Sequence, residues 1–69
     1  MVEVFKTNVV KQEQARQLLG LLLQRFPSSK INFDLEDCDK ILRLEGHDFI
    51  VDDVMRLVRR EGFACSVLD

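Results

Sequence analysis

The run Val2 to Thr7 is rich in β-branched and aromatic residues, the composition of a first strand. Val2 and Val4 share one face of such a strand, which puts Phe5 on the other, near Leu68. From about Asn8 to Phe26 the apolar positions Ala15, Leu18, Leu19, Leu22 and Phe26 recur at spacings of three and four, the stripe of an amphipathic helix that Pro27-Ser28-Ser29 closes. Ile31, Phe33 and Leu35 then alternate with Lys30, Asn32 and Asp34, the period of a strand with one covered face. A polar turn over 36–40 leads to a return strand in which Leu42 and Leu44 alternate with Arg43 and Glu45 until Gly46 breaks the run.

A second helix is predicted from about Phe49 to Glu61. Asp48, Asp52 and Asp53 lie near its start and Arg56, Arg59 and Arg60 near its end, each complementing the helix dipole. Gly62 suits a left-handed stop, and Phe63, Cys65 and Val67 alternate as a fourth strand. One sheet face and two helix stripes must bury each other, and right-handed crossovers leave few ways to do it. The pattern predicts an α+β fold, a ferredoxin-like β-α-β-β-α-β sandwich. Its four-stranded antiparallel sheet has the order 4-1-3-2, with both helices on one face. The 69 residues make one domain, 1–69.

Composition narrows the partners. Ten basic and twelve acidic side chains, interspersed, give a formal net charge of −2, which lacks the broad positive field that holds a phosphate backbone. Nucleic acid is therefore not an expected partner. The longest apolar stretch, Leu18 to Leu23 with Gly20 inside it, falls well short of the roughly 20 residues that cross a bilayer, so no membrane span is expected. No basic segment followed by a long apolar core opens the chain, and the expected location is the cytoplasm, with Cys38 and Cys65 reduced.

The second half carries a family likeness. Ile31-Asn32-Phe33-Asp34-Leu35, a four-residue turn, Lys40-Ile41-Leu42-Arg43-Leu44 and Gly46 resemble the strand, turn, strand and glycine of heavy-metal-associated domains, the fold of small copper chaperones and of the N-terminal modules of metal-transporting ATPases. Val54, Leu57, Val58, Gly62 and Phe63 resemble that family's second helix and Gly-Phe corner. In the family, Met-x-Cys-x-x-Cys at the junction of the first strand and first helix chelates a soft ion through two thiolates. Aligning Ala15 and Leu19 with the family's helix places Lys6 at its Met, and Asn8 and Lys11 at its two cysteines. An amide is a poor ligand for a soft cation, and two lysines add positive charge at an already positive helix end. The resemblance thus implies the scaffold without the metal, and no cofactor. Cys65 is expected to face the core and Cys38 to lie on the far hairpin, too far apart to share an ion.

Other residues have plain readings beside their chemical ones. Asn8 suits an N-cap. Val9 and Val10 are poor helix formers placed in a first helical turn, either a hydrophobic staple or an exposed contact where the family meets its partners. The acidic set Asp34, Glu36, Asp37, Asp39 and Glu45 mimics a calcium loop, but Cys38 stands where an oxygen ligand is needed and Asp39 where glycine is required. His47 reads as a surface residue, and no nucleophile and base can be paired, so an enzyme is not expected. Leu21 and Leu23 widen the first helix's stripe, either as extra packing or as exposed apolar surface.

The resulting expectation is a non-catalytic interaction module, similar to heavy-metal-associated domains but without their cysteines. It would meet a protein partner or a second copy of itself through Asn8, Val9, Val10, Lys11 and Phe63. The alternative is copper or zinc handling with ligands drawn from Cys38, His47 or Met1 across a dimer. A third reading is a small-anion sensor at Lys6, Asn8 and Lys11.

Overall fold

A computed structural model describes residues 1–68. The chain runs β1 (Val2–Thr7), α1 (Gln12–Arg25), β2 (Lys30–Asp34), β3 (Ile41–Glu45), α2 (Val51–Arg60) and β4 (Cys65–Val67). All three strand pairings are antiparallel and the sheet order is β2-β3-β1-β4, the expected 4-1-3-2 read from its other edge. Both helices cover one face. Ala15, Leu18 and Leu22 of α1 and Val54, Leu57 and Val58 of α2 join Phe5, Leu42, Leu44 and Cys65 of the sheet in one core. No helix among the described residues is long and apolar enough to cross a membrane.

In β1 the face of Phe5, not that of Val2 and Val4, meets the core. Residues opposite each other in an antiparallel ladder point to the same face, and Phe5 pairs with Leu42 and with Val67. Phe5 therefore points into the helix-covered core and is 0% exposed, whereas Val2 on the open face is 47% exposed. Thr7 shares the inward parity of Phe5 and is buried with it.

Helix α1 starts at Gln12, not near Asn8. Its first flanking residue, Lys11, is extended (φ −101°, ψ 136°) and gives no side-chain cap, so the Asn8 N-cap does not form. Two β-branched valines resist the helical conformation, and Val9 finds a better place in the core. Helix α2 likewise starts two residues late, after extended Ile50, because Phe49 is buried as the chain enters the helix. At its end the Gly62 N–H donates to Arg59 O (3.0 Å) and the Phe63 N–H to Val58 O (3.3 Å), a Schellman stop. That stop needs the positive φ (96°) of Gly62. Gly46 answers a different need, since a Cβ there would stand 2.9 Å from Ser29 Oγ. Beyond β4 the Leu68 N–H donates to Val4 O, and at the other terminus Met1 O accepts from Gly46 N–H, both at 2.9 Å.

Phe5→Ala is expected to lower stability by about 3–5 kcal/mol, a large share of what so small a domain has, while Val2→Ala changes it by less than about 0.5 kcal/mol. Urea denaturation followed by circular dichroism measures both; equal effects would mean that the strand faces are assigned the wrong way round.

Candidate functional site

Because β1 runs antiparallel to both neighbours, its last residues lie beside the β2–β3 turn on one side and the start of β4 on the other. The β1–α1 loop, that turn and the α2–β4 corner thus gather at one end of the sheet. Thr7 joins them. Its N–H donates to Asp39 O (3.0 Å), its hydroxyl donates to Lys40 O, and the same Oγ1 accepts the Val9 N–H (3.2 Å). A buried hydroxyl is here used both as donor and as acceptor, the arrangement that makes its burial tolerable. One residue on, Asn8 Oδ1 accepts the Ala64 N–H (2.8 Å). The loop is therefore held on one flank by the turn and on the other by the corner.

These bonds sort the five candidate contact residues. Val9 is 0% exposed and belongs to the core, and the Asn8 amide is occupied by Ala64. Phe63 is half-buried against the core. Val10 is 62% exposed, and Lys11 beside it is exposed too. What the loop exposes is Val10 and Lys11, on a backbone that its neighbours fix in shape.

The turn itself is well ordered by local bonds. Asp37 Oδ1 accepts the Asp39 N–H (2.9 Å), the Lys40 N–H donates to Asp37 O (3.0 Å), and Lys40 Nζ donates to Leu35 O (2.9 Å). Lys40 adopts φ 47°, the left-handed conformation that closes the turn. Lys6 Nζ approaches Asp39 Oδ1 at 3.9 Å. With Lys6 on the open sheet face and Asn8 bonded to Ala64, the three residues of the anion corner are not assembled.

Both cysteines are free, and their placement amends one expectation. Cys38 is exposed, and its turn lies beside the end of β1 rather than on a far hairpin. Ligand atoms of Asp37, Cys38 and Asp39 fall within 4.8 Å of one another, a group that does not include Cys65. Cys65 faces the core as expected and is 3% exposed. Loss of hydration on burial pushes its thiol up to about 11, with nearby Arg59 opposing the shift. His47 is exposed.

Thr7 escaped the sequence reading altogether. The signal that finds it is parity: once Phe5 points inward, Thr7 must also, and an inward hydroxyl next to a loop gains by bonding the backbone there. No family model, characterised protein or solved structure matches this chain.

Two outcomes test this geometry. At pH 8 a thiol reagent should label Cys38 at once and Cys65 only on unfolding, as counted by mass spectrometry. Because the folded Cys65 thiol keeps its proton above the unfolded value of 9.0, stability should be level below pH 9 and fall as pH rises from there toward about 11. Denaturant midpoints for the protein and for Cys65→Ala, compared across that range, should converge as the pH rises.

Proposed function

We propose that the protein is a non-catalytic interaction module, a domain similar to the heavy-metal-associated family that lacks the family's metal cysteines and meets a protein partner at its loop end. The observation that carries this reading is Val10, an apolar side chain 62% exposed on a loop pinned by Thr7 and Asn8. Burying a valine is worth about 1.5–3 kcal/mol. A loop already fixed in shape loses little conformational freedom on binding, so more of that gain appears as affinity. Lys11 beside it adds a charge that favours an acidic neighbour on the partner. The reading includes a cytoplasmic address, with which two free thiols are in keeping.

Pull-down from the host with wild-type bait and with Val10→Asp checks the reading, after circular dichroism has shown both to be folded. Wild type should recover a discrete partner that Val10→Asp loses. A monomer by light scattering that captures nothing, or a partner kept equally by both baits, sinks it.

One observation favours a second reading, metal handling. Asp37, Cys38 and Asp39 present converging ligand atoms at the end where the resembled family carries its ion. Against it, Asp37 already accepts the Asp39 N–H, Asp39 faces Lys6, and one thiolate with two carboxylates is a mismatched set for a soft ion. Titration with Cu(I) and with Zn(II) under reducing conditions should show no stoichiometric binding. Tight binding abolished by Cys38→Ser would put metal handling in place of the interaction module.

A further inference from the structure

The outer surface of the helix layer carries a second feature, remote in character from the loop end. Helices α1 and α2 run antiparallel, and the seam between them is floored by Leu21 and Leu57 and walled by Arg25, Arg56 and Arg60. Two clefts of about 210 and 260 Å³ follow the seam. A third, of about 480 Å³, continues over the far flank of α2, where Met55 and Arg59 join the lining. Arg60 borders all three.

Asp53 organises the walls. Its carboxylate receives Arg25 Nη2 at 3.1 Å and Arg56 Nη1 at 3.8 Å, tying the two helices together. The Asp53 side chain is 25% exposed, but those of Arg25 and Arg56 are 58% and 77% exposed, so both guanidinium groups keep outward N–H donors for a guest. Among the described residues no carboxylate lies within ion-pair distance of Arg60. Three of the chain's six arginines, at 25, 56 and 60, line the seam itself, against Asp53 alone. That leaves two positive charges in excess on a molecule whose formal net charge is −2.

Guanidinium forks above a leucine floor suit carboxylates interspersed with an apolar side chain. They suit nucleic acid poorly. The one aromatic ring here, Phe26 beneath Arg25 (5.0 Å to its centroid), is only 3% exposed and offers bases no stacking surface. The ten residues of α2 give the seam a length of about 15 Å, room for about four or five residues of extended chain.

We infer that the α1–α2 seam is a docking groove for a short acidic segment of a partner protein, its carboxylates on Arg25, Arg56 and Arg60 and an apolar side chain over Leu21 and Leu57. This goes beyond the loop-end reading and rests on other residues, so either can fail alone.

The probe is a fluorescein-labelled peptide, Glu-Leu-Glu-Asp-Leu-Glu, with its Gln and Asn counterpart as control, read by anisotropy and by amide shifts in NMR spectra. The acidic peptide should bind and shift Leu21, Arg25, Leu57 and Arg60, while the amide counterpart does not. Affinity should fall with added salt and drop about tenfold or more in Arg56→Gln with Arg60→Gln. Arg43→Gln, on the open sheet face, should bind as wild type does. Should the double variant fail to fold, Arg56→Gln alone replaces it, at a position 77% exposed. The inference is overturned by no binding to wild type, by equal binding to the arginine variants, or by oligothymidylate binding as tightly as the peptide. Shifts at the same residues on raising protein concentration alone would also overturn it, by assigning the seam to a second copy of the chain.

Discussion

The inward setting of Phe5 on the central strand governs the molecule. Once that ring stands between Leu42 and Val67 beneath the helices, alternation sends Thr7 inward as well. Burying a hydroxyl unbonded is costly, and Thr7 avoids that cost by reaching Lys40 O and the Val9 N–H. The chain is then committed to an extended path after β1, Val9 drops into the core, Val10 is left outside, and α1 can begin only at Gln12. A choice of strand face, made by hydrophobic burial, is thus transmitted residue by residue into the shape of the loop.

The parts of this chain that are legible in its sequence are those whose cause is local. Ile31 and Phe33, or Leu42 and Leu44, alternate with polar residues in only one sensible way, and the α1 stripe from Ala15 to Phe26 fits only a helical period. Gly62 announces a left-handed stop. Strand β1 is different, because Val2 and Val4 on one face compete with Phe5 on the other, and composition alone does not decide between them. Pairing with Leu42 settles the matter, and pairing is not local. The candidate site was hidden for the same reason: Thr7 finds Lys40 across 33 residues and Asn8 finds Ala64 across 56. The sequence reading put Val9 and Val10 together in a first helical turn but could not tell which of the two was spent on the core.

Net charge conceals a sorting of charge. Acidic groups crowd the β2–β3 turn, where Asp37 and Asp39 are engaged by local bonds and by Lys6. The helix layer instead carries most of the arginines, one pair of them braced by Asp53. In chain order the α2 arginines read as complements to the helix dipole, a sufficient explanation for any one of them. Only the approach of Arg25 from the other helix turns them into a surface. The fold brings Arg25 of one helix to the arginines of the other, which are distant from it in the chain.

The pairing of β1 with β4 has one more consequence. With Met1 held at Gly46 and Leu68 at Val4, the first and last described residues both lie toward the pole of the sheet away from Val10. A chain that enters and leaves there can be strung in tandem, hung from a flexible tether, or spliced into a host's surface loop without covering Val10 or Lys11. The architecture sets the two ends of the described chain apart from the loop that exposes Val10.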